Sequence, residues 1–314
     1  MLVSVQPVLG ITCKIFSALA FTLMSACLKL SSQFPTGELM FFRSLFAMIP
    51  LLLWLRWQGN LFQSLKTKSV FGHFLRGFTG STSMFCSFAA LAYLPLNDAI
   101  ALGYAAPIIA VVLAALILKE KVRIYRWTAV CVGFVGVLIM LWPHMSFQQV
   151  SLDADVALTG VILALLGALF SAASAIQIRR LTKTERVGAI VFYFTLMTTI
   201  IGFSTIIFGW RMPTPFEFCV LALSGVLGGI GQILLTESYS LADMSVIVPF
   251  EYTTMIWAVA LGWFIFGELP SATIITGGVI VAMSGIFIVW RERQLGITQK
   301  ASLQASSHHR PGNG

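Results

Sequence analysis

Ten runs of about 20 apolar residues, separated by short polar stretches, limit what this chain can fold into. They fall at 10–30, 37–55, 72–94, 97–118, 127–142, 156–178, 187–209, 217–237, 244–267 and 272–290. A helix rises about 1.5 Å per residue, so roughly 20 apolar residues cross the ~30 Å hydrocarbon layer of a bilayer. Lipid leaves backbone polar groups no partner outside the segment, so a spanning chain is helical or a closed barrel. The runs lack the apolar–polar alternation of barrel strands, which leaves helices. Composition agrees: 58% of the 314 residues are apolar and only 10% charged, against about 45–50% and 25% in soluble domains. That balance excludes a soluble enzyme, a disordered chain and a nucleic-acid binder.

The net charge of +8 sits mainly in short loops. One set of loops carries Arg56, Lys66 and Lys68, then Lys119, Lys121, Arg123 and Arg126, then Arg179, Arg180, Lys183 and Arg186. The stretch after the last run adds Arg291, Arg293, Lys300 and Arg310, whereas the opposite loops hold only Arg211. Basic residues in short loops mark the cytoplasmic side, so both termini are expected inside. The loop around Asp243 is the exception, since it belongs to the cytoplasmic set yet has no basic residue. The N-terminus lacks a basic region ahead of its apolar run, and Lys14 interrupts the run before Met24–Cys27, so neither a signal peptide nor a lipoprotein site is expected. The cysteines (Cys13, Cys27, Cys86, Cys131, Cys219) lie within the runs without metal or redox spacing and are read as apolar packers. Residues 292–314 are expected to form a disordered cytoplasmic tail in which His308 and His309 bind no metal.

The chain also repeats itself. Tyr93-Leu94-Pro95-Leu96-Asn97-Asp98-Ala99 precedes the fourth run and Tyr239-Ser240-Leu241-Ala242-Asp243-Met244-Ser245 the ninth. The offset is 146 from Tyr93 to Tyr239, 148 from Glu120 to Glu268 and 149 from Gly136 to Gly285. Two units of five runs follow, 1–142 and 156–291, joined by a periplasmic linker at 143–155. Five is odd, so the second unit crosses the bilayer in the opposite sense. The expected fold is an all-α integral membrane protein, ten transmembrane helices as two inverted five-helix repeats.

Several short motifs, in order, carry a family resemblance: Lys29, Phe41-Phe42-Arg43, Arg76-Gly77, Ala92-Tyr93-Leu94-Pro95-Leu96, Pro107, Glu120, Trp127 and Gly133-Phe134-Val135-Gly136-Val137. Phe250-Glu251-Tyr252-Thr253 and Gly267-Glu268 complete the set. Over roughly 8–291 the chain resembles the EamA-type, ten-helix branch of the drug/metabolite transporter superfamily. The resemblance implies a carrier of small metabolites in a bacterial inner membrane that hydrolyses no ATP. Phe250–Thr253 is similar to the subset that holds riboflavin importers and S-adenosylmethionine transporters. Riboflavin uptake is therefore the favoured activity, with S-adenosylmethionine uptake and export of amino acids or metallophores as alternatives. Many relatives have an acid directly before the proline that stands here at 107, whereas this chain has Ala106.

Charge inside a bilayer costs about 2.5–3.5 kcal/mol on insertion scales, so each instance needs a reason. Lys14 and Arg76 lie about a turn inside their runs, where snorkelling to the cytoplasmic boundary would relieve them. Lys29 and Glu38 flank the first outer loop and are read as an interfacial pair, or as part of a substrate entrance. Arg43 lies about 10 Å below the boundary. Its planar guanidinium could fork to a substrate anion or carbonyl, or hydrogen-bond a neighbouring helix. Glu251 is comparably deep and is either a substrate or proton-coupling carboxylate, or a structural acid bonded to a cation such as Arg43.

Pro107 and Pro249 each remove a backbone donor, freeing the carbonyls of Gly103 and Ser245 in corresponding runs. Paired breaks of this kind point to a midplane site. Tyr104, Tyr252 and Trp257 lie nearby and could wall it. Gly225–Gly229 and Gly167–Ser171 are small-residue faces for close helix packing. No Walker A loop, H-E-x-x-H or G-x-S-x-G occurs, so no catalytic residue, cofactor or metal is expected. The expected partners are a small-molecule substrate and the lipid bilayer, not nucleic acid, with the chain a monomer or a homodimer. A non-transporting membrane assembly factor is the rival of a different class.

Overall fold

The computed structural model describes residues 6–31, 33–59, 64–93, 102–119, 122–141 and 154–254, with parts of 256–294. Every regular element among them is helical. In chain order these are α1 (Pro7–Leu30), α2 (Thr36–Trp57), α3 (Val70–Tyr93), α4 (Ala105–Ile117), α5 (Ile124–Leu141), α6 (Ala154–Leu181) and α7 (Val187–Ser204). A 3₁₀ turn (Thr205–Phe208), α8 (Pro215–Leu241), the short α9 (Met244–Ile247) and a second 3₁₀ segment (Val248–Tyr252) follow. Among the described residues five stretches are long and apolar enough to cross a membrane: Pro7–Leu28, Thr36–Trp57, Leu158–Leu181, Val187–Phe208 and Pro215–Leu241. The start of the fourth run, the linker to Asp153 and most of the tail fall outside the described residues.

Local chemistry fixes the ends. Proline opens α1 and α8 at positions where the missing N–H has no helical partner anyway. At α8, Thr214 accepts the Glu217 N–H and the Glu217 carboxylate accepts the Thr214 N–H, a reciprocal capping box. Gly209, at φ +86°, makes the turn that ends the Thr205–Phe208 segment.

The helices pack in a bundle in which α1 lies along α8, α3 along α6, and α2 against both α7 and α8. Small residues make these approaches possible. A Cβ on Gly229 of α8 would sit 2.7 Å from the Ala47 carbonyl oxygen of α2. Between α3 and α6, the Ser83 hydroxyl donates to the Gly167 carbonyl at 2.9 Å. Outside the bundle the exposed side chains are apolar, as on α3, where Phe71, Phe74, Phe78 and Phe85 form one stripe. Such surface suits lipid.

Candidate functional site

The regular α-helix is interrupted where the two prolines stand. Residues 102 and 103 are helical, Tyr104 is a turn, and α4 restarts at Ala105 with Pro107 in its first turn. In the corresponding region α9 ends at Ile247 and the chain tightens into the 3₁₀ segment that contains Pro249 and Glu251. The two irregular segments meet. The Tyr104 hydroxyl lies 3.1 Å from the Thr254 hydroxyl, and the rings of Tyr104 and Tyr252 are 5.9 Å apart.

A cavity of about 170 Å³ opens at this junction. Its lining includes Tyr104 and Pro107 of one segment, Glu251 of the other, Tyr239 of α8 and Ser171 of α6. The Glu251 carboxylate is the acid at its wall, and it is ion-paired with the Lys14 ammonium of α1. Lys14 is 1% exposed and also stands 5.9 Å from the Tyr239 ring. This differs from the snorkelling expected for Lys14. Its ammonium points into the bundle because a carboxylate at the same depth offers more than the boundary does. Lys14 follows the start of α1 by seven residues and Glu251 follows the start of α9 by seven, both about 10 Å deep.

Arg43 is not the partner of Glu251. Its Nε donates to Met24 Sδ at 3.0 Å and its Nη1 to Met84 Sδ at 3.1 Å, both weak acceptors. Arg76 does not snorkel either; it is 3% exposed, and its guanidinium lies 3.8 Å from the centre of the Phe194 ring. Tyr252 is fully buried, and neither its hydroxyl nor the Trp257 indole N–H has a partner among the described residues. Glu38 is buried at the opposite end of the bundle and accepts the Arg211 N–H at 3.0 Å. The Lys29 side chain, with which it was expected to pair, lies outside the described residues. The arrangement thus unites Tyr104, Pro107, Pro249, Glu251 and Tyr252. It leaves Arg43 and Glu38 in other parts of the bundle.

Lys14, Arg76 and Tyr239 are the polar residues here that sequence reasoning assigned no part in the site. Chemically, the cavity offers a carboxylate whose ion pair a substrate or a proton could exchange with, two tyrosine rings and irregular backbone. Groups of three or more histidine, cysteine or acidic side chains placed to hold a metal do not occur among the described residues.

Two EamA-like transporter matches cover residues 7–142 and 158–291. The chain belongs to the EamA-like transporter family. It is 28% identical to the pseudopaline exporter of Pseudomonas aeruginosa over 88% of this chain and 94% of that one. Identity is also 28% to the S-adenosylmethionine uptake transporter of Rickettsia prowazekii, over 84% of this chain and 86% of the relative. To the riboflavin transporter of Vibrio cholerae it is 28% over 92% and 96%. A crystal structure at 16% identity superposes with a TM-score of 0.79 over 92% of this chain and 99% of its own, which establishes the shared fold. As an EamA-like protein with apolar spanning helices and bacterial transporter relatives, it is a multi-pass membrane protein of the drug/metabolite transporter superfamily.

Proposed function

We propose that this chain is a secondary carrier of ten transmembrane helices in two inverted five-helix repeats, moving a small polar metabolite across the bacterial inner membrane by alternating access. The two repeats would be residues 1–142 and 156–291, with both termini cytoplasmic. Reciprocal packing supports a two-fold relation between the units, which an odd number of helices in each makes an inversion. Numbering the helices within each repeat, α1 against α8 pairs the first of one unit with the third of the other, and α3 against α6 does the reverse. The same operation maps α2 against α7 onto itself.

The observation that carries the site is the cavity at two broken helices, with Glu251 at its wall and Lys14 paired behind it. Non-helical backbone at membrane depth is tolerated where it lines protein or a cavity, and corresponding breaks mark transporter sites. In this reading Glu251 is the substrate-binding or coupling carboxylate, Lys14 its resting counter-ion, and Tyr104 a wall that Tyr252 backs; Trp257, expected as a third wall, is not part of the lining. A substrate cation or a proton that takes over Glu251 frees Lys14, and that exchange couples binding to repacking of α1 against α8.

Riboflavin uptake remains the activity the sequence resemblance favours. One observation favours a second reading. The cavity of about 170 Å³ is smaller than the roughly 300–1,000 Å³ of pockets for drug-sized ligands. That space suits an amino-acid-like group better than a tricyclic vitamin, and the amino-acid moiety of S-adenosylmethionine is such a group. The test is uptake of labelled riboflavin and of labelled S-adenosylmethionine into proteoliposomes, with wild type beside Glu251→Gln. Saturable, Glu251-dependent uptake of either establishes the carrier and its site. Equal transport by both proteins removes Glu251 from the site.

A further inference from the structure

Arg43 of α2 and Arg76 of α3 stand inside the bundle without a carboxylate partner among the described residues. Both reach the same face of α3, Arg76 Nη1 against Gly80 and Arg43 Nη1 against Met84 one turn further on. Arg43 has two thioether sulfurs as its acceptors. Arg76 is flat on Phe194, and its Nε and Nη1 are sealed from water without a hydrogen-bond partner among the described residues. Gly80, one turn along α3, makes the place: a Cβ there would collide with Arg76 Nη1 and lie 2.7 Å from the Phe194 ring. Arginine stays protonated at neutral pH, and a buried, unpaired charge is among the most destabilising features a protein can carry. Two such charges against one face of α3 invite an anion.

We propose that Arg43 and Arg76 together form a carboxylate-binding site, filled by the anionic group of the transported molecule. A planar guanidinium forks to a carboxylate through two parallel N–H donors, which an ammonium does not reproduce. The Ser174 hydroxyl of α6 stands 3.3 Å from the Cβ position of Gly80, and Ser171, one turn back on α6, lines the cavity, so the site adjoins the cavity described above. The inference rests on the carrier reading and narrows its substrate class: a soluble molecule with a carboxylate, and where it also bears a cation, Glu251 at the cavity wall receives it.

The test is binding, not transport, so its failure is separable from failure of the carrier reading. The protein is placed in phosphatidylcholine nanodiscs and its melting temperature followed with acetate, succinate or glutamate, against chloride at equal ionic strength and against the neutral amides. At a hundredfold excess over Kd, a bound carboxylate raises the Tm by about 5 °C. The rise is expected with at least one carboxylate in wild type and is lost in Arg76→Met and in Arg43→Gln. Without ligand, Arg76→Met should melt at or above wild type, because it removes an uncompensated charge. If Arg76→Met does not fold, Arg43→Gln reads the same loss.

Three results overturn the proposal: no carboxylate shifts wild type; the shift persists in both variants; or it appears only with phosphatidylglycerol in the disc, which would make the occupant a lipid phosphate. Arginine-dependent binding without transport in proteoliposomes would keep this site and remove the carrier reading.

Discussion

Lys14 and Glu251, 237 residues apart in sequence, meet as an ion pair about 10 Å inside the bundle, joining the first helix to the broken segment after α9. Removing one member leaves the other in a poor solvent. Breaking a fully buried pair costs about 3–5 kcal/mol. The Glu251 side chain is 39% exposed to the cavity, so Glu251→Gln should cost less, about 1–3 kcal/mol. Lys14→Met combined with Glu251→Gln should recover much of that loss, since neither charge remains. A double-mutant cycle on thermal unfolding in detergent measures the coupling. Transport should be lost in all three variants even where stability returns.

Tyr104 and Thr254 tie the two broken segments together through one hydroxyl contact of 3.1 Å. Tyr104→Phe keeps the ring against Tyr252 and removes the hydroxyl that meets Thr254, so stability should fall by little, about 1 kcal/mol. Transport should suffer more, with a several-fold drop in rate, because the relative placement of the two segments shapes the cavity. A variant that transports at the wild-type rate would show that this contact is incidental to function.

Helix α8 owes its approach to α2 to Gly229. A Cβ there would lie 2.7 Å from the Ala47 carbonyl oxygen and 2.7 Å from the Pro50 ring. Backbone and a ring held inside a helix yield little, so Gly229→Leu should fail to give a monodisperse membrane protein on fluorescence-detected size exclusion. Leu223→Ala, on an exposed part of the same helix, should elute like wild type.

Apolar run length made the spans legible, and Pro107 and Pro249 marked where helices would be irregular. Charge placement was harder, because depth alone leaves open which way a side chain faces. For Arg76 the missing signal was present: Phe74 and Phe78 lie two residues to either side, about 200° around the helix, and both are exposed. An aromatic stripe at 71, 74, 78 and 85 puts Arg76 on the opposite face, toward the bundle. For Lys14 the signal was depth matching, since Lys14 and Glu251 enter their helices from the same side and stand equally far along. Neither the Phe194 stack nor the two thioethers around Arg43 could be read from the chain, because they depend on which helices become neighbours. Family membership came from short motifs in order, while substrate identity depends on a few cavity contacts that those motifs do not encode.

The loop around Asp243 carries no basic residue, and the structure shows where its cations come from. Arg179 Nη2 donates to Asp243 Oδ1 at 2.9 Å, and Arg126 Nη1 stands 3.8 Å from Oδ2 while donating to the Ser245 hydroxyl at 2.7 Å. The start of α5, the end of α6 and the turn between α8 and α9 therefore share one end of the bundle, with Arg211 at the other beside Glu38. If basic loops face the cytoplasm, the exposed positions 123 and 211 lie on opposite sides of the membrane. With the native cysteines replaced, an impermeant maleimide applied to spheroplasts should label Arg211→Cys and spare Arg123→Cys. Inverted vesicles should reverse the pattern. Labelling of Arg123→Cys from outside would turn the whole bundle over, and the Arg126–Arg179–Asp243 cluster would then seal the periplasmic end.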